Sequence, residues 1–370
     1  MKNKILIVGA GFSGAVIARL IAEKTNLKVL IIDKKNHIAG NCYDYRDENG
    51  IMIHKYGSHI FHTSSEKVWG FLKQFADLNT YMHKVVGYID GIETHIPFNF
   101  NTLYDVFPKT LAKRLEKKLL EKFEFNSKVP ILEFKKQEDE ELKFLADFVY
   151  EKIFYHYTTK QWGTAPTEVD GAVTARVPVY LSKDNRYFQD KYQGIPLEGY
   201  TKTVEKILSH ENIEIKLNTE FKEINISDFD KIFYTGSIDE FFDYEYGTLS
   251  YRSVNFKFET YDKEYYQSNA CVNYPCNYEF TRIHEYKYYL DDKSKKTVIA
   301  KEYSEFFELG KNERYYPIPK EENTVLYEKY LTKANNLKNV FFLGRLGDYK
   351  YYDMDKAILR AKELFEEVFK

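Results

Sequence analysis

The first thirty-odd residues hold the clearest chemistry in this chain. Gly9-Ala10-Gly11-Phe12-Ser13-Gly14 spells G-x-G-x-x-G. In such a segment the first glycine permits a tight turn, the second lets backbone approach a pyrophosphate, and the third lets a helix pack closely on a strand. The helix that follows offers unpaired N–H groups and a partial positive charge to an anion. Asp33 lies nineteen positions after Gly14, where a carboxylate can accept from a ribose hydroxyl. The alternative is an ordinary glycine-rich strand-to-helix turn. Near the other end, Gly344-Arg345 and then Tyr351-Tyr352-Asp353-Met354-Asp355 open a long helix. That would bring a second helix N-terminus to the same ligand; the alternative is a plain helix capped by Asp353. Arg176 and Arg282 are candidate anion clamps, because a guanidinium fork matches phosphate oxygens. Arg176 taken alone reads more readily as a surface arginine. His59 and His62 are three apart, but no third metal ligand is evident.

The elements that must position these residues are legible from periodicity. Lys4–Val8 is an apolar, branched run that reads as a buried parallel strand. Ala15–Lys24 has helical spacing, and Leu27–Ile32 is a second strand ending at Asp33. A helix is expected near Ser65–Leu78. Strands are expected at 84–89 and 94–96, joined at Asp90-Gly91, which signals a hairpin. Thr110–Phe123 and Asp139–Tyr157 read as charged helices of an insertion, with 128–138 as a loop. Residues 164–184 lack regular pattern and suggest a mobile lid. A helix at 201–211, strands at 214–217, 220–224 and 231–234, and a strand at 340–343 would return to the nucleotide unit. Alternating, aromatic stretches between 248 and 304 read as an antiparallel sheet that the 84–96 hairpin joins.

The fold class expected is α/β: a Rossmann-like FAD-binding domain with an inserted helical domain and an antiparallel β-sheet domain. The boundaries are 1–82, 190–240 and 335–370 for the first, 98–189 for the second, and 83–97 with 241–334 for the third. FAD is favoured over NAD because the second helix N-terminus would stabilise negative charge on a reduced isoalloxazine. A nicotinamide enzyme does not need it.

With 370 residues, two or three domains are expected. The net charge of −2 points to no nucleic-acid or anionic-membrane partner, and no run of eighteen apolar residues suggests a span. The three cysteines, Cys42, Cys271 and Cys276, imply no disulfide framework, and the N-terminus reads straight into a strand. A cytoplasmic protein is the expectation. The 33 tyrosines and 28 phenylalanines largely reflect base composition rather than a binding surface.

The chain resembles the UDP-galactopyranose mutase family of bacterial flavoenzymes over nearly its whole length. The motifs that carry the resemblance are the glycine segment, Tyr56-Gly57-Ser58-His59-Ile60-Phe61-His62-Thr63, Tyr157-Thr158-Thr159-Lys160-Gln161-Trp162-Gly163, Asn185-Arg186-Tyr187-Phe188, Tyr192-Gln193-Gly194-Ile195-Pro196, Phe280-Thr281-Arg282-Ile283, Tyr315-Tyr316-Pro317, and Gly344-Arg345 through Tyr351-Tyr352-Asp353-Met354. Two positions depart from it. Ala39 stands where the family usually has glycine, and His83 stands where an asparagine commonly contacts substrate.

The resemblance implies a redox-neutral isomerase that contracts UDP-galactopyranose to UDP-galactofuranose through an adduct between the sugar and N5 of reduced FAD. It implies Arg176 and Arg282 as the catalytic diphosphate clamp, with Arg176 on the lid. It implies substrate contacts from His83, Phe154, Tyr157, Thr158, Trp162, Tyr187, Arg252, Asn273, Tyr316 and Tyr351, with Tyr157 under the uracil. For the cofactor it implies Gly9, Gly11, Phe12, Ser13, Gly14, Asp33, Lys34, Gly40, Asn41, His59, Ile60, Phe221, Gly344, Arg345, Tyr352, Asp353 and Met354. An external reductant and a homodimer follow from the same likeness. UDP-N-acetylgalactosamine as substrate, a flavin-dependent oxidoreductase on the same fold, and a non-catalytic nucleotide-sugar binder remain the alternatives.

Overall fold

A computed structural model of the protein describes residues 3–163, 165–167, 177–318 and 320–369. Five strands form an all-parallel sheet in the order Ile213–Lys216, Lys28–Ile32, Lys4–Val8, Lys231–Tyr234 and Val340–Phe342. The inner strands are largely apolar because both faces must be covered, whereas the edge strand Ile213–Lys216 carries Glu214 and Lys216 and is largely exposed. One face carries the helices Phe12–Lys24 and Met354–Phe369, whose buried aliphatic side chains join the largest apolar core. Phe229, with partly buried Phe221 and Phe241, covers the other. The chain leaves Lys4–Val8 to one side through Lys28–Ile32 and returns on the other side at Lys231–Tyr234. The crevice outside the carboxyl end of Lys4–Val8 is therefore a switch point, where ligands of open parallel sheets bind.

A second sheet of seven strands runs Tyr316–Pro317, Tyr251–Tyr261, Thr297–Phe306, Arg282–Glu285, Cys271–Asn273, Val85–Ile89 and Ile92–Ile96. The pairings are antiparallel except that of Cys271–Asn273 with Val85–Ile89. Asp90 and Gly91 both take positive φ in the hairpin turn, as its Asp-Gly sequence requires. Helices Phe100–Val106, Lys109–Lys122, Ile131–Phe134 and Glu140–Val149 build a layer with its own core, which they share with Val85, Ile89 and Ile96 of the hairpin, and the helix His156–Trp162 follows them.

Three expectations are corrected. Residues 220–224 are not a strand: Phe221–Glu223 is a single 3-10 turn in which the Glu223 carboxylate accepts from the Glu220 N–H. The Phe221 ring then packs on Tyr234 and Phe241, which a strand would not allow. The helix expected over 139–157 is interrupted, with a π-helical segment Tyr150–Tyr155 between Glu140–Val149 and His156–Trp162. Wide turns of this kind recur at functional sites, and this one carries Phe154 and leads into Tyr157. The loop expected at 128–138 contains a strand, Lys128–Val129, paired with Val179–Tyr180, and the helix Ile131–Phe134.

Candidate active site

The glycine turn, both helix N-termini and the ends of the parallel strands enclose a cavity of about 890 Å³, near the upper end of volumes that hold small molecules. All the cofactor positions expected from sequence line it except Ile60, which packs against the main core beside it. Gly40 has φ +56, and its Cα lies where a Cβ on Gly11 would touch it. Ala39, at the departure from the family pattern, also has positive φ (+70), a conformation that costs a non-glycine residue about 1 kcal/mol. Asp33 accepts from the backbone N–H of Ala10 at 2.8 Å and of Lys35 at 2.9 Å. It therefore shapes the turn as well as facing the cavity.

Part of the cavity wall is invisible to a local reading. Residues Leu309–Tyr315 and Thr235–Ser237 line it. Lys35 reaches Glu313 at 3.6 Å and sits 4.2 Å over the Tyr56 ring, tying the 309–315 segment to the nucleotide turn. No motif marks 309–314, because the role of this segment comes from crossing over the cavity from the other sheet.

Arg345 connects the cavity to the second cluster. Its guanidinium donates to the Tyr352 carbonyl at 2.6 Å and lies 5.0 and 4.9 Å from the rings of Tyr316 and Tyr351. Those two rings stack at 5.2 Å, and Trp162 stands 6.2 Å from Tyr316. Arg282 lies beyond them. It sits opposite Glu302 in the sheet and donates from Nε to that carboxylate at 2.7 Å. Asn273 faces Arg282 from the neighbouring strand. Tyr157 is close enough to Arg282 and to Tyr187 to feel the charge of each, and Tyr187 packs edge-on to His83.

Not every expected substrate residue faces this space. Arg252 is buried and spends its guanidinium on the carbonyls of Gln161 (2.9 Å) and Lys160 (3.0 Å), closing the end of the helix His156–Trp162. Lys160 in turn donates to the carbonyls of Tyr274, Tyr278 and Phe280. The Lys-Gln-Trp-Gly segment is thereby pinned to the sheet with Trp162 at its end. Phe154 lies in the apolar core of the helical layer, and Thr158 is buried one turn beyond it. Arg176 lies outside the described residues, as do 164 and 168–176 of the expected lid. His62 is engaged with Asp190 at 2.8 Å and stacks on Phe188 at 3.6 Å.

Sequence reasoning missed the network behind Arg282. Glu302 accepts from Arg282 and, at 2.8 Å, from Nε2 of His284. Nδ1 of His284 is 2.8 Å from Ser58 Oγ, which lies 2.5 Å from Tyr289 OH. With Nε2–H donating to the carboxylate, Nδ1 accepts from Ser58, and each donor has an acceptor. Burial would raise the Glu302 carboxyl, but Arg282 and His284 outweigh it and hold it at about 2, against the usual 4.5. Burial keeps His284 neutral, its pKa below the ordinary 6.5. The signal was present: positions 282 and 284 share a strand face.

A depressed carboxyl contributes stability that is complete above its unfolded pKa and is lost as pH falls through the folded one. Glu302→Gln is therefore expected to lower the thermal midpoint more at pH 7 than at pH 3.5. Buried neutral His284 adds acid sensitivity to both proteins, so the difference between them is the quantity to read. Equal losses at the two pH values would show that the Glu302 carboxyl is not held below its unfolded pKa in the folded protein.

A dinucleotide cradle beside a buried arginine–carboxylate pair and stacked tyrosines is matched by known proteins. A family model described as UDP-galactopyranose mutase covers residues 152–351. A "Probable UDP-galactopyranose mutase" of Klebsiella pneumoniae is 41% identical over 99% of this chain and 95% of its own. The chain belongs to the UDP-galactopyranose mutase family. It is thus an enzyme of an isomerase family. A model of the NAD(P)-binding Rossmann-like domain matches residues 7–75, the segment that forms the glycine turn. An Escherichia coli relative named dTDP-fucopyranose mutase is 38% identical over 98% of this chain and 97% of its own. Among solved structures, reduced UDP-galactopyranose mutase superposes with a TM-score of 0.72 at 16% identity, covering 99% of this chain and 93% of that one. At that identity the match supports the fold alone.

Proposed function

We propose that this protein interconverts UDP-galactopyranose and UDP-galactofuranose without net redox change, using reduced FAD held in the 890 Å³ cavity. One observation supports this reading above others: Arg345 lines the cofactor cavity and also packs on the Tyr316–Tyr351 pair. A flavin in the cavity and a nucleotide sugar beside Arg282 would thus meet across one residue. The donor set fits FAD, with the first helix N-terminus and the glycine turn for the diphosphate, the second helix N-terminus for the reduced ring and Asp33 for a ribose. When bound and reduced, the flavin supplies a nucleophilic nitrogen to the anomeric carbon.

The chain's own residues would do the rest. Arg282, fixed by Glu302, would offer its guanidinium to the diphosphate as it leaves and gains charge. Tyr187, Tyr316 and Tyr351 would donate to the same phosphates, and Tyr157 would stack on the base. Arg176 would close from the lid as the second clamp. His59 on the cavity wall is neutral, its pKa pushed down to about 3 by burial, so it adds no competing positive charge beside the flavin. An external reductant would keep the cofactor active, and a homodimer is the assembly proposed.

The Escherichia coli relative is named for dTDP-fucopyranose, so the sugar nucleotide needs direct assay. Product analysis by chromatography should use UDP-galactopyranose, UDP-N-acetylgalactosamine and dTDP-fucopyranose, each with and without dithionite. A furanose product from UDP-galactopyranose is expected only under reduction. Turnover by the oxidised holoenzyme, or conversion of another substrate alone, would overturn the assignment.

A further inference from the structure

His54 is buried in the floor beneath His59, and it is not among the residues lining the cofactor cavity. Its backbone is held in the short hairpin of Asp44–Arg46 with Met52–His54. Its ring stacks on Tyr289 at 5.3 Å and meets Tyr200 and Tyr286 at 5.7 and 5.8 Å. The His59 ring itself stands 6.4 Å away, so aromatic rings surround the imidazole. Nδ1 accepts the backbone N–H of His59 at 3.0 Å, so the ring proton is on Nε2. Burial keeps this ring neutral, with its pKa pushed down to about 3.

The other nitrogen shows why the ring is there. Nε2 is buried and has no hydrogen-bond partner among the described residues. An unpartnered buried polar atom is costly, and a phenylalanine would fill the same space among these tyrosines without that cost. The one polar task the ring performs is at Nδ1. That task fixes the peptide plane between Ser58 and His59: in a trans peptide the Ser58 carbonyl must point away from the His59 N–H, and so away from His54. The segment it fixes also carries Ser58 of the Arg282–Glu302–His284 network and His59 of the cavity wall. It turns at Gly57, where φ is +94 and the Phe256 ring blocks any side chain.

We infer that His54 is a positioning residue that sets the orientation of the Ser58–His59 peptide on the cofactor wall, and through it the flavin's environment, without touching flavin or substrate. The inference rests on the flavin reading of the cavity given above. The discriminating variants are His54→Asn and His54→Gln. An asparagine carbonyl can replace Nδ1 as acceptor, whereas a glutamine carbonyl lies one bond further out, near the place of Nε2. Both are polar and close in size, so a purely structural role would not separate them.

Three readouts are needed on the flavin-loaded proteins: kcat and KM, the flavin midpoint potential, and amide hydrogen exchange over residues 54–62. The asparagine variant is expected to retain most of the activity and the wild-type potential. The glutamine variant is expected to lose about tenfold in kcat, the equivalent of one hydrogen bond, with little change in KM. Its flavin potential shifts and exchange over 54–62 quickens. Indistinguishable asparagine and glutamine variants, whether both active or both impaired, would overturn the inference. Exchange over 54–62 can also be compared among the proteins without cofactor, so a protein that binds no flavin would fail the functional reading while still reporting on His54.

Discussion

Arg282→Lys is expected to lower kcat by about 10² to 10³-fold, the range for loss of a donor aimed at developing charge, while KM changes much less. The substitution keeps the charge and removes the fork. In the wild type, Nε holds Glu302 at 2.7 Å across the sheet, and the rest of the guanidinium can then serve a second anion. A lysine ammonium is a single compact donor group and cannot span both in one fixed plane. The loss falls on kcat because the diphosphate gains charge only as the bond to the sugar breaks. Arg282→Met goes further and leaves Glu302 buried with, among the described residues, the side chains of His284 and Thr281 to answer it. Breaking a buried pair in this way costs about 3–5 kcal/mol, so its thermal midpoint should fall together with activity. Steady-state kinetics and UDP binding on Arg282→Lys decide the matter. Turnover within threefold of wild type would remove Arg282 from the clamp.

Gly14→Ala is expected to yield protein without bound flavin. A Cβ at this position would lie 1.9 Å from the Gly9 carbonyl oxygen and 3.3 Å from Ile7 Cγ2. The first of these is backbone and cannot swing aside. Either the helix Phe12–Lys24 lifts from the sheet or the turn at Gly9 opens, and both displace the N–H groups that face the cavity. Gly70→Ala is the matched control. Gly70 is exposed in the helix Glu66–Leu72, nothing lies within 4 Å of its added Cβ, and its φ is not positive. There alanine should be neutral or stabilising by up to about 1 kcal/mol. The ratio of flavin to protein absorbance in the two purified variants is the measurement. Full flavin content in Gly14→Ala would show that the pyrophosphate does not depend on this close approach.

The nucleotide half of the molecule was legible because its information is local. A strand, a glycine turn, a helix and a second strand ending in a carboxylate occupy 4–33, and chain connectivity alone brings Gly9, Gly11, Gly14 and Asp33 to one place. The hairpin at Asp90-Gly91 and the alternating strands beyond 250 were legible for the same reason, since turn chemistry and a period of two are properties of short windows. The resemblance added residues with no such signature, among them Tyr316, Tyr351 and Arg345.

Tertiary structure alone decided the support behind the site. Ser58 and His284 are 226 positions apart and meet only because the loop after Met52–His54 lies against a strand of the other sheet. Glu302 faces Arg282 because of the register between two antiparallel strands, and a shift of one residue would have turned it to the opposite face. Arg252, expected near the substrate, also closes a helix end, because the carbonyls of Lys160 and Gln161 need donors. The 3-10 turn at Phe221–Glu223 sets its ring against Tyr234 and Phe241, and the π segment at Tyr150–Tyr155 buries Ile153 and Phe154 in the core of the helical layer, packing that no short window records. What a residue can do was written in its type and near spacing; which partner it does it to depended on contacts that no short window of sequence contains.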